Sequence, residues 1–205
     1  MSITGIFCII FSYLIGAIPF GLLLSFKSGV NIRSAGSGNI GATNVTRLLG
    51  KKLGLLTLLC DVLKGYLPIF CTSLLVQHDP QYTLIMACSG AATVLGHMFP
   101  IYLGFRGGKG VATALGLFLY LAPLAVVLTL LIFLAVVRLS GFVSAGSLLG
   151  SALVPLWLVL LHKPTWTIIL AIFVVSLIWI KHWHNIKRLL AGTEKPWSTR
   201  KTGQQ

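Results

Sequence analysis

The sequence predicts an all-α, polytopic integral membrane helix bundle, and three observations carry that prediction: long apolar runs, almost no acidic residues, and cations confined to the stretches between the runs. Of the 205 residues, 56% are hydrophobic and 9% charged, with a mean hydropathy of +0.93. A soluble fold of that composition would lack the polar residues to cover its surface, so the bilayer is its natural solvent. There are 16 Lys and Arg against only three acids, Asp61, Asp79 and Glu194, a formal charge of +13. Such an excess suits an anionic membrane surface and anionic substrates. The basic residues sit in short inter-span loops rather than on one continuous patch, so no nucleic-acid partner is expected.

Apolar runs of roughly 20 residues cross the hydrocarbon core as helices. They fall at 3–26, 53–76, 82–103, 142–161 and 165–180. The stretch 111–137 is either one tilted helix or two short ones broken near Pro123, where proline removes a backbone donor. Charge decides between them. The loop after the first run carries Lys27, Arg33, Arg47, Lys51 and Lys52, and the tail carries Lys181, Lys187, Arg188, Lys195, Arg200 and Lys201. Positive residues stay on the cytosolic side, and both regions face that side only if 111–137 crosses twice. About seven spans are therefore expected, some short, with the N-terminus outside and the C-terminus in the cytosol. No linker or repeat divides the chain, so 1–205 is expected as one domain with a short polar cytosolic tail from about 192. The N-terminus has no basic leader and its apolar run exceeds a signal-peptide core, so it reads as a retained span. Cys8, Cys60, Cys71 and Cys88 lie inside apolar runs without a Cys-x-x-Cys pair and read as buried spacers.

Three polar islands interrupt the apolar sequence. The first, from Arg33 to Arg47, includes Ser34, Gly36, Ser37, Gly38, Asn39, Gly41, Thr43 and Asn44. Glycines there let backbone N–H groups converge on an anion, and a helix starting soon after Gly41 would aim its N-terminus at the same point. Gly36, Gly38 and Gly41 match the dinucleotide-binding spacing, but a membrane span precedes them where a strand is required. The second island, 96–113, sets Arg106 and Lys109 among Gly107, Gly108 and Gly110 where the next helix begins, again a phosphate design. It is not a Walker loop, since position 103 is Leu and position 110 is Gly. His97, at a span end, reads as a structural hydrogen-bonder. The third island, 181–194, leaves the last run as a basic amphipathic helix on which His182 and Asn185, three apart, share a face. His182 and His184 have no Cys or acid at ligand spacing, so neither a metal nor another cofactor is expected. Within the second run, Asp61 and Lys64 are spaced to pair.

These islands in this order resemble the bacterial acyl-phosphate:glycerol-3-phosphate acyltransferase family (PlsY type). The likeness rests on Ser34-Ala-Gly-Ser-Gly-Asn-Ile-Gly-Ala-Thr-Asn-Val-Thr-Arg47, on Gly96-His-Met-Phe-Pro with Gly107-Gly-Lys-Gly-Val-Ala-Thr113, and on His182-x-x-Asn-Ile with Leu189-Leu-x-Gly-x-Glu194. The resemblance implies transfer of a fatty acyl group from acyl phosphate to the 1-hydroxyl of glycerol 3-phosphate. The products would be lysophosphatidic acid and phosphate, the first acylation of phospholipid synthesis, made at a bacterial inner membrane with the site facing the cytosol. A soluble enzyme that makes the acyl phosphate is a candidate partner. Acyl phosphate is already a mixed anhydride, so no covalent enzyme intermediate is required, and no His-x-x-x-x-Asp dyad is present.

On this reading Arg47 and Lys109 bind and neutralise phosphate, while Ser34, Asn39, Thr43, His182 and Asn185 orient the acceptor. Loop N–H groups and Lys109 would stabilise charge on the acyl oxygen and the leaving phosphate. Ser144 and Ser147 resemble a serine pair of the family, and as helix hydroxyls they also suit bonds to the preceding turn. The proton of the attacking hydroxyl has two acceptors open to it, His182 and the acceptor's own phosphate. The rival class is a membrane transporter of organic phosphate, built from broken helices with cationic glycine-rich ends.

Overall fold

The computed structural model describes residues 1–197. Arg200 and Lys201, two of the cations used above to orient the chain, lie outside the described residues, which are helical throughout with no strand among them. Helix α1 (Ile3–Ala17) begins where the Ser2 hydroxyl accepts the Gly5 N–H at 3.0 Å. It stops before Pro19, and α2 (Phe20–Ser25) resumes within the same apolar run, so the first expected span is a broken one. The break leaves the Ile18 carbonyl available to Lys64 of α4 (Lys51–Leu75), whose Nζ donates to it at 2.8 Å. The same Nζ lies 2.7 Å from Asp61, so the expected pair forms and neither ion is buried alone. Lys51 and Lys52, expected in a loop, form the first turn of α4, because nothing after Gly50 opposes helix.

Between these spans lies the eight-residue α3 (Ala42–Leu49). The chain continues through α5 (Tyr82–Met98), α6 (Val111–Leu121), α7 (Pro123–Ser140), α8 (Val143–Leu160), α9 (Thr165–Lys181) and α10 (Trp183–Leu190). Five segments are long and apolar enough to cross a bilayer, at 3–28, 51–75, 82–103, 123–140 and 143–160; α9 with α10 adds a sixth, bent by 60° at His182. The stretch 111–137 does break before Pro123, but not into two short spans. Helix α7 is a full span of 18 residues running on to Ser140, whereas α6 has only 11. At 1.5 Å per residue α6 covers about 16 Å, roughly half the ~30 Å hydrocarbon core, so the seventh crossing is partial. It is tolerated because α6 is enclosed by protein, with Thr113 and Leu117 wholly buried.

Leucines along α4, such as Leu55, Leu59 and Leu67, face outward as a lipid-solvated helix requires. The four thiols are free; Cys8 is buried as expected, but Cys71 lies on the exposed side of α4. Inside, α4 and α6 touch backbone to backbone. A Cβ on Gly116 would overlap the Val62 carbonyl, and one on Gly65 would overlap the Thr113 carbonyl. Close approach through small residues is how helices gain dispersion energy where lipid supplies no hydrophobic drive. Gly116→Val must push α6 off α4, because the obstacle is backbone and cannot rotate away. The expected cost is about 1–3 kcal/mol, read as a fall of several degrees in the Tm of the detergent-solubilised protein. An unchanged Tm would mean the two helices do not meet there.

Candidate functional site

Four helix ends surround a cavity of about 450 Å³: the N-termini of α3, α6 and α8 and the bend between α9 and α10. One end of the cavity is polar, and the rest is an apolar slot between α6, α7, α8 and α9.

The first island shapes its wall through Asn44, which is 1% exposed. The Asn44 Nδ2 group donates to the carbonyls of Ile32 at 2.9 Å, Asn39 at 2.9 Å and Ala35 at 3.2 Å, and its Oδ1 accepts the Ser37 N–H at 2.8 Å. Asn44, one of the polar residues of the first island, holds the loop together: both of its amide hydrogens and its carbonyl oxygen are engaged by backbone. Gly36, at φ +64°, passes so close to the Asn44 carboxamide that a Cβ would overlap it. The Gly38 N–H is taken by the Ala35 carbonyl and the Gly41 N–H by Asn39 Oδ1. Two of the loop's three glycine N–H groups are therefore spent within the loop itself, and only that of Gly36 has no acceptor among the described residues. Unspent donors appear also at the start of α3, where the N–H groups of Ala42 and Thr43 have no partner among the described residues and both residues line the cavity.

The second island repeats the pattern. The Gly107 N–H donates to the Met98 carbonyl and the Gly108 N–H to the His97 carbonyl, so neither is free for phosphate. A Cβ on Gly108 would overlap the His97 ring, which explains the glycine: the loop folds flat against His97. Gly110 closes the turn at φ +82°, after which Val111 and Ala112 open α6 into the cavity. Lys109 enters beside them and donates from Nζ to Asn185 Oδ1. Burial pushes the Lys109 ammonium down to about 8, with Arg188 and Arg47 adding to the effect and Glu194 opposing it.

His182, the first residue beyond α9, is 2% exposed. Its Nδ1 lies 2.8 Å from the Ile178 carbonyl and so carries the proton, leaving the Nε2 lone pair unpaired at the cavity wall. Burial, followed by the nearby Lys109 charge, pushes this imidazole down to about 4, against the Ile178 carbonyl and Glu194. Asn185 follows one turn later on the same face, as its spacing predicted. Its Nδ2 donates to Glu194 at 2.6 Å, and Glu194 also accepts from Ser144 Oγ at 2.8 Å and Arg188 Nε at 2.7 Å. Burial would raise the Glu194 carboxyl, but these donors hold it below the usual carboxylate range. Ser147 bonds the Val143 carbonyl at 2.9 Å, the local helix bond that hydroxyls favour.

Gly36, Ser37, Asn39, Gly41, Thr43, Asn44, Arg47, Lys109, Gly110, Ser144, Ser147, His182, Asn185 and Glu194 thus come together from positions far apart in sequence. Ser34, Gly38, Arg106, Gly107 and Gly108 do not line the cavity. Ser34 and Arg106 are exposed, and the Ser34 hydroxyl is turned to the Asn31 carbonyl at 3.1 Å. Sequence reasoning passed over Arg188, although 182, 185 and 188 share one helical face. Of the tail it singled out only Glu194. In fact Lys195 Nζ donates to the Gly36 carbonyl at 3.0 Å, Arg47 to the Pro196 carbonyl at 3.4 Å, and the Trp197 N–H to the Gly141 carbonyl at 2.8 Å, drawing 194–197 across the polar mouth. Asp61 and His97 reach the cavity as well, so the α4 ion pair also helps shape the site.

The family model described as glycerol-3-phosphate acyltransferase matches residues 6–192. A glycerol-3-phosphate acyltransferase of Desulfotalea psychrophila (strain LSv54 / DSM 12343) is 60% identical over 91% of this chain and 94% of its own length. One from Aquifex aeolicus (strain VF5) is 40% identical over 93% and 97%. The fold is similar to the crystal structure of PlsY (YgiH), an integral membrane glycerol 3-phosphate acyltransferase, in its glycerol 3-phosphate form. There the TM-score is 0.89 at 39% identity, covering 95% of this chain and 96% of that one. The lysophosphatidic acid form of that enzyme gives 0.86 at 39% identity, covering 94% of each. With its motifs in register and nearly its whole length matched, the chain belongs to the glycerol-3-phosphate acyltransferase family.

Proposed function

We propose that the chain acylates the 1-hydroxyl of glycerol 3-phosphate with acyl phosphate as donor, giving lysophosphatidic acid and inorganic phosphate. Acyl transfer to glycerol 3-phosphate is the activity its family carries. The observation that carries the reading is the continuity of one cavity: a mouth with two unspent helix N-termini, Arg47 and Lys109 opens directly into an apolar slot. Two phosphates fit the first part and a hydrocarbon tail the second, a division that an organic-phosphate transporter has no use for. The N-termini of α3 and α6 with Arg47 and Lys109 hold the phosphates. The acceptor oxygen attacks the acyl carbon, the C–O bond to the donor phosphate breaks, and the leaving charge develops against Lys109 and the α6 N–H groups.

Asn185, held by Glu194, fixes Lys109. His182 accepts a hydrogen bond from the hydroxyl at Nε2 and thereby aims it. With its imidazole pushed down to about 4, His182 is a poor proton acceptor near neutrality. The acceptor's own phosphate, with a second pKa of ~6 like other phosphate monoesters, takes the proton. Ser34 and Arg106, expected at the site, are assigned to the outer rim. That rim, with Arg33, Arg47, Arg106 and Lys195, is the strongly cationic end, and it faces the cytosol of the bacterial inner membrane. Its charge and exposure suit docking of a soluble acyl-phosphate-producing enzyme.

In detergent micelles, glycerol 3-phosphate with palmitoyl phosphate should yield lysophosphatidic acid, and palmitoyl-CoA should not substitute; product from the thioester would overturn the donor assignment. Lys109→Ala should lower kcat/KM by about 10²–10³, the scale of losing one transition-state donor. The pH profile separates the groups. Lys109 is charged below about 8, so kcat/KM should fall as pH rises through that value, and Lys109→Arg should move this limb upward. The acid limb should lie near ~6, where the acceptor phosphate dianion is protonated to the monoanion, and keep its position in His182→Asn despite a lower rate. A wild-type limb near 4 that vanishes in His182→Asn would make the histidine the base.

A further inference from the structure

We infer that the closed floor of the apolar slot measures the acyl chain, with Val154 and Phe118 setting the length accepted. This rests on reading the slot as the acyl site. The lower end meets Phe118, Val126, Val154 and Val174, none more than 8% exposed, and beneath them pack Leu158 and Leu170 of the bundle core. A tail running straight down from the mouth therefore meets protein at that end. On α8, Ser144 at the mouth and Val154 at the floor are ten residues apart, a rise of about 15 Å. An all-trans chain built from ~1.5 Å C–C bonds advances about 1.25 Å per carbon. About 12 carbons then fill the slot below the level of Ser144.

The α8 wall keeps the slot wide with Gly146, Ser147, Gly150 and Ser151. The two glycines differ in what surrounds them. A Cβ on Gly146 would lie 2.7 Å from Val137 Cγ2 and 3.0 Å from the Phe133 carbonyl, so that glycine serves the packing of α7 on α8. At Gly150 the nearest atom is Thr129 Cγ2 at 3.4 Å, an ordinary contact. A larger side chain there has room at its root and must extend into the slot, about 9 Å below Ser144. Each methylene denied burial lowers affinity roughly fourfold, so an obstruction at this depth discriminates against long chains while leaving short ones above it.

The test compares kcat/KM for octanoyl, palmitoyl and stearoyl phosphate in the wild type, Gly150→Leu and Val154→Ala. Gly150→Leu should lower the palmitoyl-to-octanoyl ratio by at least about tenfold, and Val154→Ala, which deepens the floor, should raise the stearoyl-to-palmitoyl ratio. Ratios equal to those of the wild type in both variants, whatever the absolute rates, would overturn the inference and place the tail in lipid. Failure of the wild type to use any of the three donors would instead overturn the acyl-phosphate reading, and with it the assignment of the slot.

Discussion

Glu194 gathers Ser144 from α8 and Asn185 and Arg188 from α10, and through Asn185 it reaches Lys109 at the start of α6. These groups come from three separate stretches of chain. One carboxylate therefore fixes the relative placement of three helix ends. It also keeps the mouth cationic without letting its charges repel one another apart. Lys109, Arg47 and Arg188 push on the same small volume, and burial already weakens the Lys109 ammonium. A neutral residue at 194 would leave that repulsion unopposed and Asn185 free to turn, so the geometry of the polar mouth depends on a charge that touches Lys109 only through an intermediary.

The glycine-rich islands act less directly than a cradle of loop amides. Asn44, Asn39 and the carbonyls of Ala35, His97 and Met98 consume the N–H groups of Ser37, Gly41, Gly38, Gly108 and Gly107 in the two loops. That consumption makes the loops rigid, and rigid loops hold the first turns of α3 and α6 in place, where donors are left over by the geometry of any helix. Preorganised donors cost nothing at the moment charge develops, which is why fixed backbone serves better here than flexible side chains. Asp61 and Lys64 fit the same logic one layer deeper. Their pairing and the bond to the Ile18 carbonyl tie α4 to the break in the first span, beneath the wall of the cavity.

The helical membrane fold was legible because a run of 20 apolar residues has few other solutions, and the three islands were legible because polar residues are conspicuous against it. Lys109, His182 and Asn185 could be named from residue type and spacing, since two of them share a helical face. Asn44 and Ser34 could not be separated from true site residues: both are small polar residues in one glycine-rich loop, and only the fold shows one buried among carbonyls and the other turned outward. Arg188 carried a signal in its register with Asn185, but a basic residue on a basic helix does not stand out. The strap of 194–197 had no signal, because each of its contacts ends on a backbone carbonyl, of Gly36, Pro196 or Gly141, and residue type does not mark which carbonyl a lysine, an arginine or a backbone N–H will reach.

Pro123 links the shape of the slot to the irregularity of the bundle. It ends α6 after 11 residues and starts α7 at once, so Phe118 and Val126 stand on either side of the break and meet at the floor. A full-length sixth helix would carry its wall through the membrane and leave no floor on that side. The half-length helix instead places its N-terminus at the polar mouth and its C-terminus at the bottom of the slot, about 16 Å apart, close to the depth along α8. The span that looks deficient by the hydropathy of a transmembrane helix thus has the length the cavity requires. The enclosure of α6 by α4, α5 and α9 is what makes so short a crossing tolerable in the bilayer.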